Sequence, residues 1–180
     1  NSANIGPHRL SFRIVSSSKG VFRKSRTLRA VARRQPAVTR FGGPGILTGD
    51  VTGDGLLDVV ALATSRGGDD RGGVYLFAGS TEPSTTPTAI LQDGSLGGAG
   101  DRLGFDVDDR LNEPVPLVFL VDVTGDGILD IVAAAPRSDR FAVDEGAIFL
   151  WMGGAGLAAG NTVPKRILRA GGSPPLCRLG

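Results

Sequence analysis

Residues 50–58 read DVTGDGLLD and residues 122–130 read DVTGDGILD, so the same nine residues return after 72 positions, changed only where Leu56 becomes Ile128. A self-match at fixed spacing marks a repeat architecture, and it constrains the fold more than any single motif. The match continues on both sides. ILTGDV aligns with VFLVDV, LDVVALAT with LDIVAAAP, GGVYLFAG with GAIFLWMGG, and TAILQDGS with KRILRAGG. Each unit is a series of short apolar, β-branched runs cut by Gly, Asp, Ser and Pro, the pattern of antiparallel strands with tight connections. With 28 glycines and 11 prolines in 180 residues, turns outnumber any place for long helices.

The reading is therefore all-β, with about four antiparallel strands per unit. A four-stranded sheet with two apolar faces needs sister units to cover them. Units of this size suit the blades of a β-propeller, which closes with roughly four to eight of them. The chain is expected to supply about two blades plus flanks, an incomplete ring that further propeller blades or another copy of the chain would extend. Residues 41–100 form the first repeat, and 101–180 form the second, running into the start of a third. Residues 1–40 are a basic flanking segment, a partial strand or disordered stretch, with ten Lys/Arg and no Asp or Glu; all eighteen acids lie beyond it. That segment lacks the interleaved aromatics of a base-stacking surface, so nucleic acid is not the expected partner. No run of 18 apolar residues is present, so no spanning helix is expected.

Three carboxylates in one short turn repel each other unless a cation or hydrogen-bond donors offset the charge. Each nonapeptide places oxygen ligands at alternate positions: Asp50, Thr52, Asp54, the Leu56 carbonyl and Asp58 in the first; Asp122, Thr124, Asp126, the Ile128 carbonyl and Asp130 in the second. Gly55 and Gly127 allow the sharp turn at position 6. Calcium accepts such an irregular oxygen set, whereas magnesium demands a near-octahedral one and transition metals prefer His or Cys. Only His8 and Cys177 represent those two types. Position 12, where an EF-hand carries a bidentate Glu, is Ala61 or Ala133, and strand-like runs follow each loop. Two calcium sites are expected, opposed by the alternative of Asx turns in which the aspartates accept backbone amides and bind nothing.

These residues resemble the calcium-binding repeats of the FG-GAP family, found in integrin α-subunit propellers and in bacterial surface and secreted proteins. The resemblance covers about residues 40–180. Phe41-Gly42 precedes the first loop, Leu103-Gly104-Phe105 precedes the second, and DIVAAAP at 130–136 follows the family's buried strand. It departs at position 3, where Thr52 and Thr124 replace the commoner Asn or Asp. It departs again where Leu103 replaces Phe. The resemblance implies a non-catalytic scaffold, extracellular or at a cell surface, that serves adhesion or recognition of a protein or carbohydrate ligand.

The alternative is the propeller part of a secreted hydrolase or lyase whose active site lies elsewhere or in the 105–116 insertion. FDVDD at 105–109 and Asp69-Asp70 supply carboxylates, yet glycosidase acids cannot be recognised from spacing alone. The Ser16–Ser18 run lacks a nucleophile elbow, and GGPGILTG at 42–49 lacks the G-K-[ST] of a phosphate loop. No catalytic residue is assigned. Tyr75, Phe149 and Trp151 fall in runs that align between repeats, which places them in the core.

Overall fold

The computed structural model describes residues 40–64, 70–92, 100–108, 113–141, 143 and 145–169, together with the backbone of four short strands nearer the N terminus. Those four are β1 (Ser11–Ile14), β2 (Ser17–Ser18), β3 (Val21–Phe22) and β4 (Arg26–Arg29), with β1 paired to β4 and β2 to β3, both antiparallel. The rest of the basic flank, His8 and Ser16 included, lies outside the described residues, as do Asp69, Asp109 and Cys177.

Two four-stranded antiparallel meanders follow. The first runs β5 (Phe41–Gly49), β6 (Asp58–Ala63), β7 (Gly73–Phe77) and β8 (Ala89–Leu91). A hairpin of β9 (Phe105–Asp108) and β10 (Glu113–Pro116) intervenes. The second meander runs β11 (Val118–Val121), β12 (Asp130–Ala135), β13 (Ala147–Trp151) and β14 (Arg166–Leu168). One helical turn, Ala155–Ala158, joins the last two strands. Each nonapeptide connects the first strand of its meander to the second, so the expected four-strand unit is present twice.

Period-2 alternation divides each sheet into two faces. Register pairing puts Leu47, Val60, Leu76 and Ala89 in one row of the first sheet, with Leu62, Val74 and Leu91 in the next. This face joins Ile131, Ala133, Ala135, Ala147, Phe149 and Trp151 of the second sheet in one buried cluster. The sheets are thus stacked face to face, with Phe149 and Trp151 stacked at 5.8 Å. On the opposite face of the first sheet, Val59, Ala61 and Phe77 are buried beside Phe41 and Tyr75. Phe41 meets Tyr75 edge-on at 5.1 Å, so the aromatic of the FG step serves that second cluster.

Glycine sets how closely the sheets approach. A Cβ at Gly49 would come within 2.6 Å of Leu129 Cδ1 and 3.2 Å of Leu120 Cδ1, so only a residue without a side chain lets these leucines seat. The Gly104 of the second LG step, at φ +84°, lies under Val118 and Val74, where the hairpin enters the stack. Within the 105–116 insertion, β9 and β10 pair antiparallel. Its prolines, Pro114 and Pro116, sit on an outer strand, where a missing N–H costs little.

Candidate metal centre

Asp50 opens the first loop and accepts two amides, from Gly53 at 2.6 Å on Oδ1 and from Gly55 at 2.8 Å on Oδ2. Both glycines have positive φ, +77° and +80°, which turns their N–H groups back toward the carboxylate. Asp54, exposed at the tip, accepts the Leu56 amide at 2.8 Å, an Asx turn. The second loop repeats this. Asp122 Oδ1 accepts Gly125 at 2.6 Å and Asp126 at 3.2 Å, its Oδ2 accepts Gly127 at 2.8 Å, and Asp126 accepts Ile128 at 3.0 Å. The amide bonds, led by that from Gly127, hold the Asp122 carboxyl below the usual carboxylate range.

The position-9 aspartates are placed differently. Asp58 and Asp130 are fully buried at the first residue of their strands. Asp58 Oδ2 accepts the amides of Val51 and Thr52, and its Oδ1 accepts the Gly79 amide at 2.7 Å and the Thr52 hydroxyl at 3.3 Å. Asp130 Oδ2 accepts Val123 and Thr124, and its Oδ1 accepts Gly153 at 2.8 Å. Each carboxylate ties the loop to the far end of the third strand of its sheet. A buried carboxylate is stable only when its lone pairs are met, and three or four donors meet them here.

This geometry bears on how a hard cation would be held. Among the described residues, no three His, Cys, Asp or Glu side chains converge as a metal-holding group. Asp58 has its four acceptor directions in use, while Asp50 accepts two donors and Asp54 one, so that both keep acceptor capacity. Thr52, in donating to Asp58, leaves its hydroxyl lone pairs available. The oxygen chemistry of positions 1, 3, 5 and 7 therefore suits calcium; position 9 braces both loops, with Asp58 meeting four donors and Asp130 three, so that Asp130 keeps one acceptor direction. Sequence reasoning did not find the Gly79 and Gly153 amides. Their signal was the aligned glycine itself, because a Cβ there would press to 2.6 Å of the Leu57 carbonyl and 2.5 Å of the Leu129 carbonyl.

The two loops also touch. Leu129 N donates to the Asp50 carbonyl at 3.2 Å, Gly154 N donates to the Val51 carbonyl at 2.8 Å, and a Cβ on Gly53 would lie 2.8 Å from Ile128 Cδ1. The first loop is thus capped by the second unit while each keeps its own carboxylates. In the insertion hairpin, Asp106 pairs with Arg102 at 2.8 Å and Glu113 with Arg40 at 3.4 Å, so these acids are engaged in ion pairs.

Stacked four-stranded antiparallel meanders, each opening its second strand from an aspartate-braced loop, define a β-propeller-type repeat scaffold. The particular repeat is that of the second unit: residues 117–151 match the family model described as the FG-GAP repeat, spanning β11, the second loop, β12 and β13. No curated protein matches the chain. No helix of the described residues is long and apolar enough to cross a membrane.

Proposed function

We propose that the chain is a calcium-stabilised segment of a β-propeller scaffold, non-catalytic, working outside the cell or at its surface in adhesion or recognition. The observation that carries this is the duplicated loop, whose position-1 and position-5 carboxylates keep acceptor capacity in a turn already shaped by backbone amides. Calcium would be held by Asp50, Thr52, Asp54 and the Leu56 carbonyl in one loop, and by Asp122, Thr124, Asp126 and the Ile128 carbonyl in the other. Asp58 and Asp130 anchor those loops to the sheets. The ion supplies positive charge that offsets carboxylate repulsion and fixes the strand connection. Two ligating carboxylates per loop and no bidentate Glu favour the weak class of site, with a dissociation constant of about 10⁻⁴–10⁻³ M.

A groove beside the helical turn, lined by Met152, Asn161, Val163 and Lys165 over Trp151, sets polar and apolar groups side by side. It is suited to a protein or carbohydrate ligand. The test is a thermal melt in chelator and in millimolar calcium. Calcium is expected to raise Tm, and Asp54→Ala with Asp126→Ala is expected to remove that rise. A Tm indifferent to calcium in the parent chain would sink the calcium reading.

A further inference from the structure

We propose that the two loops are unequal calcium sites, the second filling at lower calcium than the first, and that the threonine at position 3 sets the order. This ranking rests on the calcium reading and adds to it. The turn itself does not separate the loops. Asp50 accepts the Gly53 and Gly55 amides at 2.6 and 2.8 Å, and Asp122 accepts those of Gly125 and Gly127 at 2.6 and 2.8 Å. Asp54 and Asp126 close the same Asx turn, at 2.8 and 3.0 Å. Positions 1 and 5 are therefore offered alike, and the donor sets differ at positions 3 and 9.

At position 3 the two hydroxyls take different partners. The Thr124 hydroxyl donates to Asp122 Oδ1 at 3.3 Å, so its oxygen already lies beside the position-1 carboxylate, and the residue is exposed. Oxygens that share one calcium ion at about 2.3–2.6 Å sit about 3–3.5 Å apart, so this pair is spaced as joint ligands are. The Thr52 hydroxyl instead gives its single proton to Asp58 Oδ1 at 3.3 Å, and the residue is 5% exposed. To join Asp50 on an ion it has to turn from the brace. Asp58, fully buried, then loses a donor.

Position 9 widens the gap, because Asp58 meets four donors whereas Asp130 meets three and keeps one acceptor direction. The surroundings act in the same sense. The second unit closes over the first loop, with Leu129 N on the Asp50 carbonyl and Gly154 N on the Val51 carbonyl. A Cβ on Gly53 would lie 2.8 Å from Ile128 Cδ1, whereas one on its counterpart Gly125 meets nothing within 4 Å. Turning Thr52 therefore disturbs the contact between units, and the second loop adjusts freely. In rising calcium the outer loop is expected to order first and the junction between units last.

Calcium chloride titrated into the whole chain, with the loop glycine amides followed by NMR, gives a midpoint for each loop. The second is expected at about 10⁻⁴ M and the first at about 10⁻³ M, a separation of about tenfold. Thr124→Ala is expected to raise the second midpoint about threefold to tenfold, and Thr124→Ser to return it to within about twofold of the parent. Thr52→Ala should move the first midpoint by less than about twofold. Circular dichroism on each variant establishes that the sheets are retained, and the two midpoints of the parent chain decide the ranking without any variant. No shift in either loop overturns the ranking together with the calcium reading. Equal midpoints, a tighter first loop, or a Thr124→Ala midpoint that stays in place overturns the ranking alone and leaves the calcium reading standing.

Discussion

The loops at 50–58 and 122–130 have nearly the same residues and different surroundings. Val51 is wholly buried, and its counterpart Val123 is 52% exposed; Thr52 is buried, and Thr124 is exposed. The cause is a neighbour: the second unit caps the first loop through the Asp50 and Val51 carbonyls. The threonine changes partner accordingly. Thr52 donates its hydroxyl inward to Asp58, whereas Thr124 donates to Asp122 within its own turn. A repeat thus fixes the shape of a loop by its own glycines and aspartates, while the adjoining unit decides how much water the loop sees.

The position-9 brace separates the two loops most. Asp58→Ala strands three buried or half-buried amides, and the expected loss is about 3 kcal/mol or more by urea denaturation. Asp130→Ala exposes its freed amides to water more readily and is expected to cost about half as much. Equal costs would break the comparison.

Exchange of the packing residue comes next. Gly49→Val forces a side chain into Leu129 and is expected to destabilise by about 2–3 kcal/mol, whereas Val121→Gly on the open face should cost about 1 kcal/mol or less. Denaturation midpoints at constant m-value read both, and a Gly49→Val chain as stable as the parent would refute the seating of Leu129. Val51→Ala leaves a cavity worth about 2 kcal/mol, and Val123→Ala stays within about 0.5 kcal/mol.

The smallest effect is on acid stability. The folded carboxyl of Asp122 titrates below its ordinary 3.8, chiefly because Gly127 donates to it. Its ionised form therefore contributes stability that is present above the unfolded pKa and lost as pH falls through the lower folded value. Asp122→Asn should flatten the stability curve below about pH 4 and leave the neutral region little changed. A wild-type acid limb in that variant would show that Asp122 does not contribute.

Much of this was legible in the chain. The duplicated nonapeptide located both loops, the apolar runs gave four strands per unit, and Phe149 and Trp151 lie in the shared core. Tyr75 packs edge-on to Phe41 against the smaller cluster and is only partly buried. The role of position 9 was not legible, since its donors are backbone amides, 6 and 7 residues back in the loop and 21 and 23 residues on, and the distant ones leave no mark beyond a glycine aligned between the units. The hairpin at 105–116 was obscured by prolines in EPVP, which argue against a strand unless it lies at an edge. The lateral capping of one loop by the other unit depends on tertiary stacking, which periodicity does not encode.

The most direct test of the account follows the glycine amides that donate to Asp50 and Asp122, those of Gly53, Gly55, Gly125 and Gly127, by NMR as calcium is added. Both sets are expected to shift and to saturate with a dissociation constant of about 10⁻⁴–10⁻³ M. Asp54→Ala should silence the first set alone, and Asp126→Ala the second alone. Glycine amides that stay in place at about 10 mM calcium, well above that range, or that move equally in the double variant, would contradict it.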